Sequence, residues 1–251
     1  MLEVTELRQG LAVASTSFVG HLALGDVRFI VRPKVQANVL RTLLHYAYGL
    51  RNVTTYAGTD QAVERGDFQD LIIAQLAAEA EALLARGLPR AYAAVHEDLV
   101  SPRGRIDLQT IARQGGLAGA RVPCIHHPRV LDTLPNRVMA AGLALAATLT
   151  NDVELRGQVR RLRAWLMDDV ASIHLGPAVL DKARRALTRL TSVYAPLYDL
   201  IELLLGGTGA SQEEPERAFK LPGFLFDMNR FFEALITRFL AQHLAEGTLY
   251  S

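Results

Sequence analysis

Hydrophobic residues change their repeat near Pro33. Before it, Val27, Phe29 and Val31 alternate with Arg28, Ile30 and Arg32, the two-residue period of a strand. Pro33 closes that strand, because its ring nitrogen carries no proton to give to a ladder. Upstream, LAVAST and FVG read as short strands, with a turn separating FVG from HLALGDVRFIVRPKV. Downstream, QANVLRTLLHYAYG spaces Val39, Leu43, Leu44 and Ala47 at helical intervals and stops at Gly49. Strands gathered at one end and helices through the rest make an α+β fold.

From Asp67 the helical period is sustained. FQDLIIAQLAAEAEALLARG reads as a long helix with Gly87 as its C-cap and Pro89 beyond. AYAAVHEDLVSPRGRIDLQTIARQ then reads as a strand, a Pro-Gly turn and a second extended segment, with VPCIHHPRV as a partner strand. After Pro135 come NRVMAAGLALAATL, VELRGQVRRLRAWLMDDV, a break at HLGP, VLDKARRALTRLT, and PLYDLIELLLGG ended by paired glycines. GGTGASQEEPERAF has the polar, Gly-rich composition of a linker or loop, and FLFDMNRFFEALITRFL follows as an apolar helical pattern. These breaks divide the chain into a β-rich module at 1–65, a mixed then mainly helical region at 66–205 with a β-turn projection near 90–130, a linker at 206–222 and a last segment at 223–251.

With 251 residues, half of them apolar, the chain can bury a substantial core, so disorder is the wrong class. The 27 basic residues nearly cancel the 26 acidic ones, and net charge gives no argument for a nucleic-acid partner. One cysteine, Cys124, allows neither an internal disulfide nor a multi-thiolate metal site, which fits a reducing compartment. MLEVTELRQG has two glutamates and no apolar run, and the longest apolar stretch, 138–149, is too short to span a bilayer. A cytoplasmic protein with no membrane partner is expected. No G-x-x-x-x-G-K phosphate loop occurs, so nucleotide binding is expected elsewhere.

Four stretches carry candidate chemistry. In SPRGRID, Arg103 and Arg105 flank Gly104; in a strand they point the same way, giving two guanidinium groups able to hold a phosphate or a partner's carboxylates. The plainer alternative is that Gly104 makes the turn while Arg105 pairs with Asp107 or Glu97 to pin it. CIHHPR brings Cys124, His126 and His127 together, but no paired spacing elsewhere completes a zinc site. Arg156, Arg160 and Arg163 recur at i, i+4 and i+7, a stripe that fits either a DNA phosphate backbone or a solvated face. Within the last helix, starting near Asp227 with Asp227 or Asn229 as its N-terminal cap, Met228, Phe231, Phe232, Leu235, Phe239 and Leu240 form a wide apolar face with Glu233 at its edge. A metal-dependent nuclease needs several carboxylates around its ions, and Glu233 supplies only a first candidate.

VRPKV at 31–35, a following helix ending in YAYG, FQDLIIAQLAAEAEALLARGL, PRGRIDL at 102–108, TLPNR at 133–137, YAPLYDL at 194–200 and FLFDMNRFFEALI at 224–236 occur in that order along nearly the entire chain. In these stretches, most specifically PRGRID and FDMNRFFE, the chain resembles the McrC family, the nuclease subunit of McrBC restriction of 5-methylcytosine-modified DNA. The resemblance implies that the N-terminal part, the β-rich module at 1–65, is a finger-like module that enters the channel of a McrB-like AAA+ GTPase hexamer and stimulates it, with Arg103, Arg105 and Asp107 on the PRGRID turn as further partner-binding candidates. It also implies a C-terminal nuclease of the PD-(D/E)xK class. FDMNRFFE matches the first helix of that nuclease, and Glu233 its auxiliary metal ligand. Mg2+ then belongs to the complete nuclease, GTP to the motor, and modified duplex DNA to the complex. The later catalytic acids and lysine are missing from this sequence, so the chain alone is expected to be silent, with an uncovered apolar face on its last helix. Two other readings stand beside this one. The first is an active Mg2+-dependent endonuclease, completed by a partner or by a non-standard set of Asp107, Asp132 and Glu233. The second is a stand-alone DNA-binding scaffold using Arg156, Arg160 and Arg163.

Overall fold

A computed structural model describes residues 2–15, 17–24, 26–50, 68–117, 119–208 and 223–244. Residues 51–67, 245–251 and most of the linker at 206–222 lie outside the described residues. The fold is α+β, with eight α-helices and ten short strands among the described residues. No helix there is long and apolar enough to cross a membrane.

The centre of the fold is α2, Phe68–Arg86. Phe68, Ile72, Ile73, Leu76, Ala77 and Ala80 are each at most 1% exposed. A helix apolar around most of its circumference must be wrapped, and the alanines let its neighbours come close. Those neighbours are α4 (Leu134–Leu149), α5 (Val153–Met167) and α7 (Ala195–Gly207), while α6 (Pro177–Arg185) packs on α4 and α7. Burial of each large side chain in this core is worth about 1.5–3 kcal/mol. The caps follow local chemistry: Thr133 and Asp152 accept from backbone amides three residues on, satisfying donors that the first turns of α4 and α5 leave unpaired.

The N-terminal strands make two sheets. Strands β1 (Leu2–Leu7) and β2 (Gly10–Ser15) form an antiparallel hairpin. Strands β3 (Phe18–Leu24) and β4 (Val27–Val31) pair antiparallel, and α1 (Ala37–Tyr48) follows. The turn expected after FVG is not there, because β3 runs straight through Gly20. Gly20 has φ +132°, and a Cβ at that position would collide with the Phe224 carbonyl. Only glycine lets that backbone approach so closely.

Phe224 belongs to a strand, although the apolar pattern from 224 reads as helical; the helix itself starts after Asp227, as expected. Gly223–Asp227 is β10, antiparallel to β3, so the sheet order is β10-β3-β4 and sequence-distant segments lie side by side. Its alternation buries Phe224 and Phe226, and the Phe226 ring meets Phe68 of α2 at 4.6 Å between centroids. The helix proper, α8, covers Met228–His243, with Asp227 accepting from the Asn229 and Arg230 amides as the expected N-cap. It lies along α1, and Phe231, fully buried, packs among Tyr48, Phe226 and Phe232.

Candidate functional site: a basic projection and its base

Between α2 and α4 the chain leaves the helical body to form a small β module. Strands β5 (Ala91–Tyr92) and β9 (Arg129–Val130) pair at its base. Beyond them, β6 (Val95–Leu99), β8 (Val122–His126) and β7 (Arg105–Ile106) form a sheet in the order β6-β8-β7. The segment after the turn was expected to be extended, but 108–113 is a short helix, α3. Asp107 initiates it, accepting from the Thr110 amide at 3.2 Å and the Thr110 hydroxyl at 2.8 Å.

The module's elements pack on one another and hardly at all on the helices. Of its described residues, only Pro123 and Cys124 are buried. It carries Arg90, Arg103, Arg105, Arg113, Arg121 and Arg129 against Glu97, Asp98 and Asp107. The result is a narrow basic knob with exposed apolar side chains, Tyr92 at 71%, Val100 at 70% and Leu108 at 71%.

Within the knob, Gly104 takes a left-handed φ of +72°, which breaks strand alternation between Arg103 and Arg105. The shared direction expected of the two arginines therefore has no strand to rest on. Both side chains are exposed. Arg105 does not pair with Asp107 or Glu97: the Asp107 carboxylate is engaged by Thr110, and Glu97 meets His126 Nε2 at 3.2 Å. The Thr110 hydroxyl and then its amide hold the Asp107 carboxyl below the usual carboxylate range. Asp107 thus shapes the turn, while Arg103 and Arg105 are exposed beside it. Cys124 is 1% exposed, and no three His, Cys, Asp or Glu side chains gather around a metal position among the described residues.

The base of the knob is a polar clamp. Asn136, fully buried in the first turn of α4, donates from Nδ2 to the Leu131 carbonyl at 2.7 Å and the Pro89 carbonyl at 3.2 Å. Its Oδ1 accepts from the buried Tyr194 hydroxyl. Carbonyls only accept, so the amide nitrogen must face Pro89 and Leu131. Next to it, Asp132 takes two 2.6 Å bonds from Arg137 and one of 3.0 Å from the Ala171 amide, and these donors lower its pKa to about 2. Neither Asn136 nor Tyr194 was singled out from chemistry in the sequence. The available signal was an asparagine one residue after a helix-opening Thr-Leu-Pro, where a buried amide needs partners.

The other sequence candidates lie apart. On α5, Arg156 is held by the Thr150 carbonyl, and Arg163 is half-buried with an Nε that has no partner. Of the expected stripe only Arg160 is exposed; the outward face presents Arg161 and Trp165, the latter 80% exposed. Glu233 is exposed on α8, beside an outward apolar row of Phe232, Ile236 and Phe239 at 39%, 55% and 50%. Asp107, Asp132 and Glu233 do not converge: the first two are engaged where they stand, and Glu233 lies on a separate helix. The first turn of α8 is tied by ions, with Arg230 to Glu202, which Arg184 also meets at 2.8 Å while reaching Asp199 at 2.5 Å.

The architecture is shared with solved structures. It is similar to a chain of the cryo-EM structure of the Thermococcus gammatolerans McrBC complex, 24% identical, TM-score 0.65, over 97% of this chain and 70% of that one. It is also similar to a chain of the refined half-complex from a tetradecameric assembly of Thermococcus gammatolerans McrB AAA+ hexamers with bound McrC, 22% identical, TM-score 0.63, over 97% of this chain and 56% of that one. At these identities the likeness is one of fold, and the chain is shorter than both. No curated protein matches the sequence. The family model for the McrBC 5-methylcytosine restriction system component matches residues 13–249, and the chain belongs to that family.

Proposed function

We propose that the chain is a McrC-like subunit that docks on a McrB-like AAA+ GTPase hexamer through the projection at 91–130, stimulates GTP turnover and couples it to cleavage of modified duplex DNA. The observation that carries this is the knob itself: a narrow module, nearly free of the helical body, with arginines and uncovered apolar side chains at its surface. A module of that build presents anchors that a partner can desolvate, and its charge steers it toward acidic walls. Arg103 and Arg105 are the contacts, and Asp107 fixes the turn that presents them. The similar structure of McrB AAA+ hexamers with bound McrC supplies the partner's class. GTP is held by the motor, since the chain has no phosphate loop of the G-x-x-x-x-G-K type.

The test mixes purified chain with its cognate motor and follows GTP turnover and co-elution. Stimulation is expected, with half-saturation moved upward about tenfold by Arg103→Ala together with Arg105→Ala, for contacts worth about 0.7 kcal/mol each. An unchanged turnover rate without co-elution removes the proposal.

For Mg2+, the fit among the described residues is poor, because Glu233 is an exposed carboxylate and no group of three or more His, Cys, Asp or Glu side chains gathers there. A second reading, an endonuclease completed by another chain, draws on the uncovered row of Phe232, Ile236 and Phe239 beside Glu233. Mg2+-dependent cutting of methylated duplex that is abolished by Glu233→Gln would favour it.

A further inference from the structure

The knob joins the body through two crossings of the chain, outgoing at Pro89 and returning at Leu131. Beyond the body those crossings are joined by a two-residue ladder, Ala91 with Val130 and Tyr92 with Arg129, by one bond from the Ala93 amide to the Pro128 carbonyl at 3.2 Å, and farther out by the five-residue pairing of β6 with β8. These bonds tie the two crossings to each other and not to the helical body, so they leave the angle of exit unset. A single side chain spans both crossings from beneath: Asn136, whose Nδ2 gives one proton to each carbonyl. Asn136 is itself fixed from the far side, by the Tyr194 hydroxyl on its Oδ1 and by its place in the first turn of α4. Tyr194 is fully buried, with its ring against Tyr198 at 6.1 Å between centroids, so the linkage runs from the helical core to the root of the projection without an exposed member.

We propose that Asn136 is a positioning residue. It fixes the angle at which the projection leaves the helical body, and that fixed angle is what lets docking of the knob change the motor's GTP turnover. The inference rests on the docking reading above and adds a role to a residue that touches no partner. A knob on a loose root still binds, because Arg103 and Arg105 are unaltered. It cannot hold the ring and the body in one relative orientation, so binding no longer stimulates.

Two substitutions separate positioning from plain stability. Asn136→Asp keeps an acceptor for Tyr194 and loses both donors to Pro89 and Leu131. Tyr194→Phe keeps both donors and removes the hydroxyl behind them. Nitroxides on Leu117→Cys and Val153→Cys, both exposed sites, report the projection's angle by their distance distribution, with buried Cys124 left in place.

In the full chain with its cognate motor, Asn136→Asp is expected to widen that distribution at least twofold and lower maximal stimulation at least fivefold, with half-saturation within twofold of the parent. Tyr194→Phe should keep most of the stimulation even where its thermal midpoint falls as far. An unchanged distance distribution in Asn136→Asp overturns the proposal. So does a loss of stimulation that follows the thermal midpoint equally in both variants. If Asn136→Asp does not fold, Asn136→Leu, of similar shape and without donors, takes its place in both arms. A parent chain that never stimulates the motor defeats the docking reading instead, and the distance measurement still decides whether Asn136 sets the angle.

Discussion

Phe231→Ala should separate what holds α8 to the body from what merely decorates the contact. Phe231 is fully buried, and its ring lies 6.4 Å from Tyr48, 5.9 Å from Phe226 and 5.4 Å from Phe232, centroid to centroid. Truncating such a ring removes the transfer energy and leaves a cavity that neighbours fill only in part, at a cost of about 3–5 kcal/mol. Against a net stability on the order of 5–15 kcal/mol, that is a large share. The conspicuous polar tie on the same helix, Arg230 to Glu202, has side chains 57% and 38% exposed. An ion pair so open to solvent contributes roughly 0.2–1 kcal/mol, and Glu202 keeps Arg184 when Arg230 is gone. Urea unfolding should therefore lose several-fold more stability in Phe231→Ala than in Arg230→Ala. Hydrogen exchange in 228–243 should rise sharply in the first variant and little in the second. Equal losses in the two variants, or a Phe231→Ala cost below about 1 kcal/mol, would refute the assignment of α8 docking to this ring.

Three further outcomes follow from other contacts. Gly20→Ala should cost at least about 2 kcal/mol in a thermal melt and expose β10 to exchange first, because the added methyl meets the Phe224 carbonyl at a φ that disfavours side chains. Asp132 has its pKa lowered from 3.8 to about 2, so its contribution is complete above pH 4 and disappears as pH falls through 2. The carboxylate is partly exposed, so the effect is about 1 kcal/mol at most; Asp132→Asn should flatten the acid limb of a stability-versus-pH curve between those values. Burial raises the Tyr48 phenol to about 12, and a difference titration against Tyr48→Phe should find it still protonated at about pH 11 and ionising earlier once Phe231→Ala lets water in.

The elements legible in the sequence are those whose signal is local. The α1 stop at Gly49, the span of α2 to Gly87 and the Asp227 cap each follow from a residue whose conformational or hydrogen-bonding preference acts within one turn. The strand at 223–227 was not legible, because Phe-Leu-Phe satisfies a helical stripe as well as an alternating one. Its choice was made by pairing with β3, some two hundred residues away in the chain. The short helix after Asp107 was missed for a similar reason: an Asp three residues before a Thr looks like a turn until the Thr hydroxyl is seen on the carboxylate. The arginine stripe failed because i, i+4 and i+7 spacing says which residues share a side and not which side faces water. Arg156 and Arg163 lie toward the body, while Arg161 and Trp165 take the outer face.

The same limit explains why the apolar face of the last helix looked single. Six large residues between Met228 and Leu240 read as one wide stripe, yet the structure splits them around the cylinder. Phe231 points to the core, with Met228 and Leu235 packed against it, whereas Phe232 and Phe239 join Ile236 on the outside. A helix on the surface of a finished fold needs one such stripe, and its opposite face is ordinarily polar. Here the outer row, Phe232 to Phe239, runs through about two turns, with Glu233 as its acidic neighbour. The energetics of the two rows are separable, since the inner row is already paid for by contacts within this chain and the outer row is not. A substitution of Ile236 by a polar residue should therefore leave urea stability within about 0.5 kcal/mol, as for an ordinary surface site, and should reduce any self-association or docking that the exposed row drives. A large loss of stability would mean that Ile236 belongs to the inner row and that α8 carries one face after all.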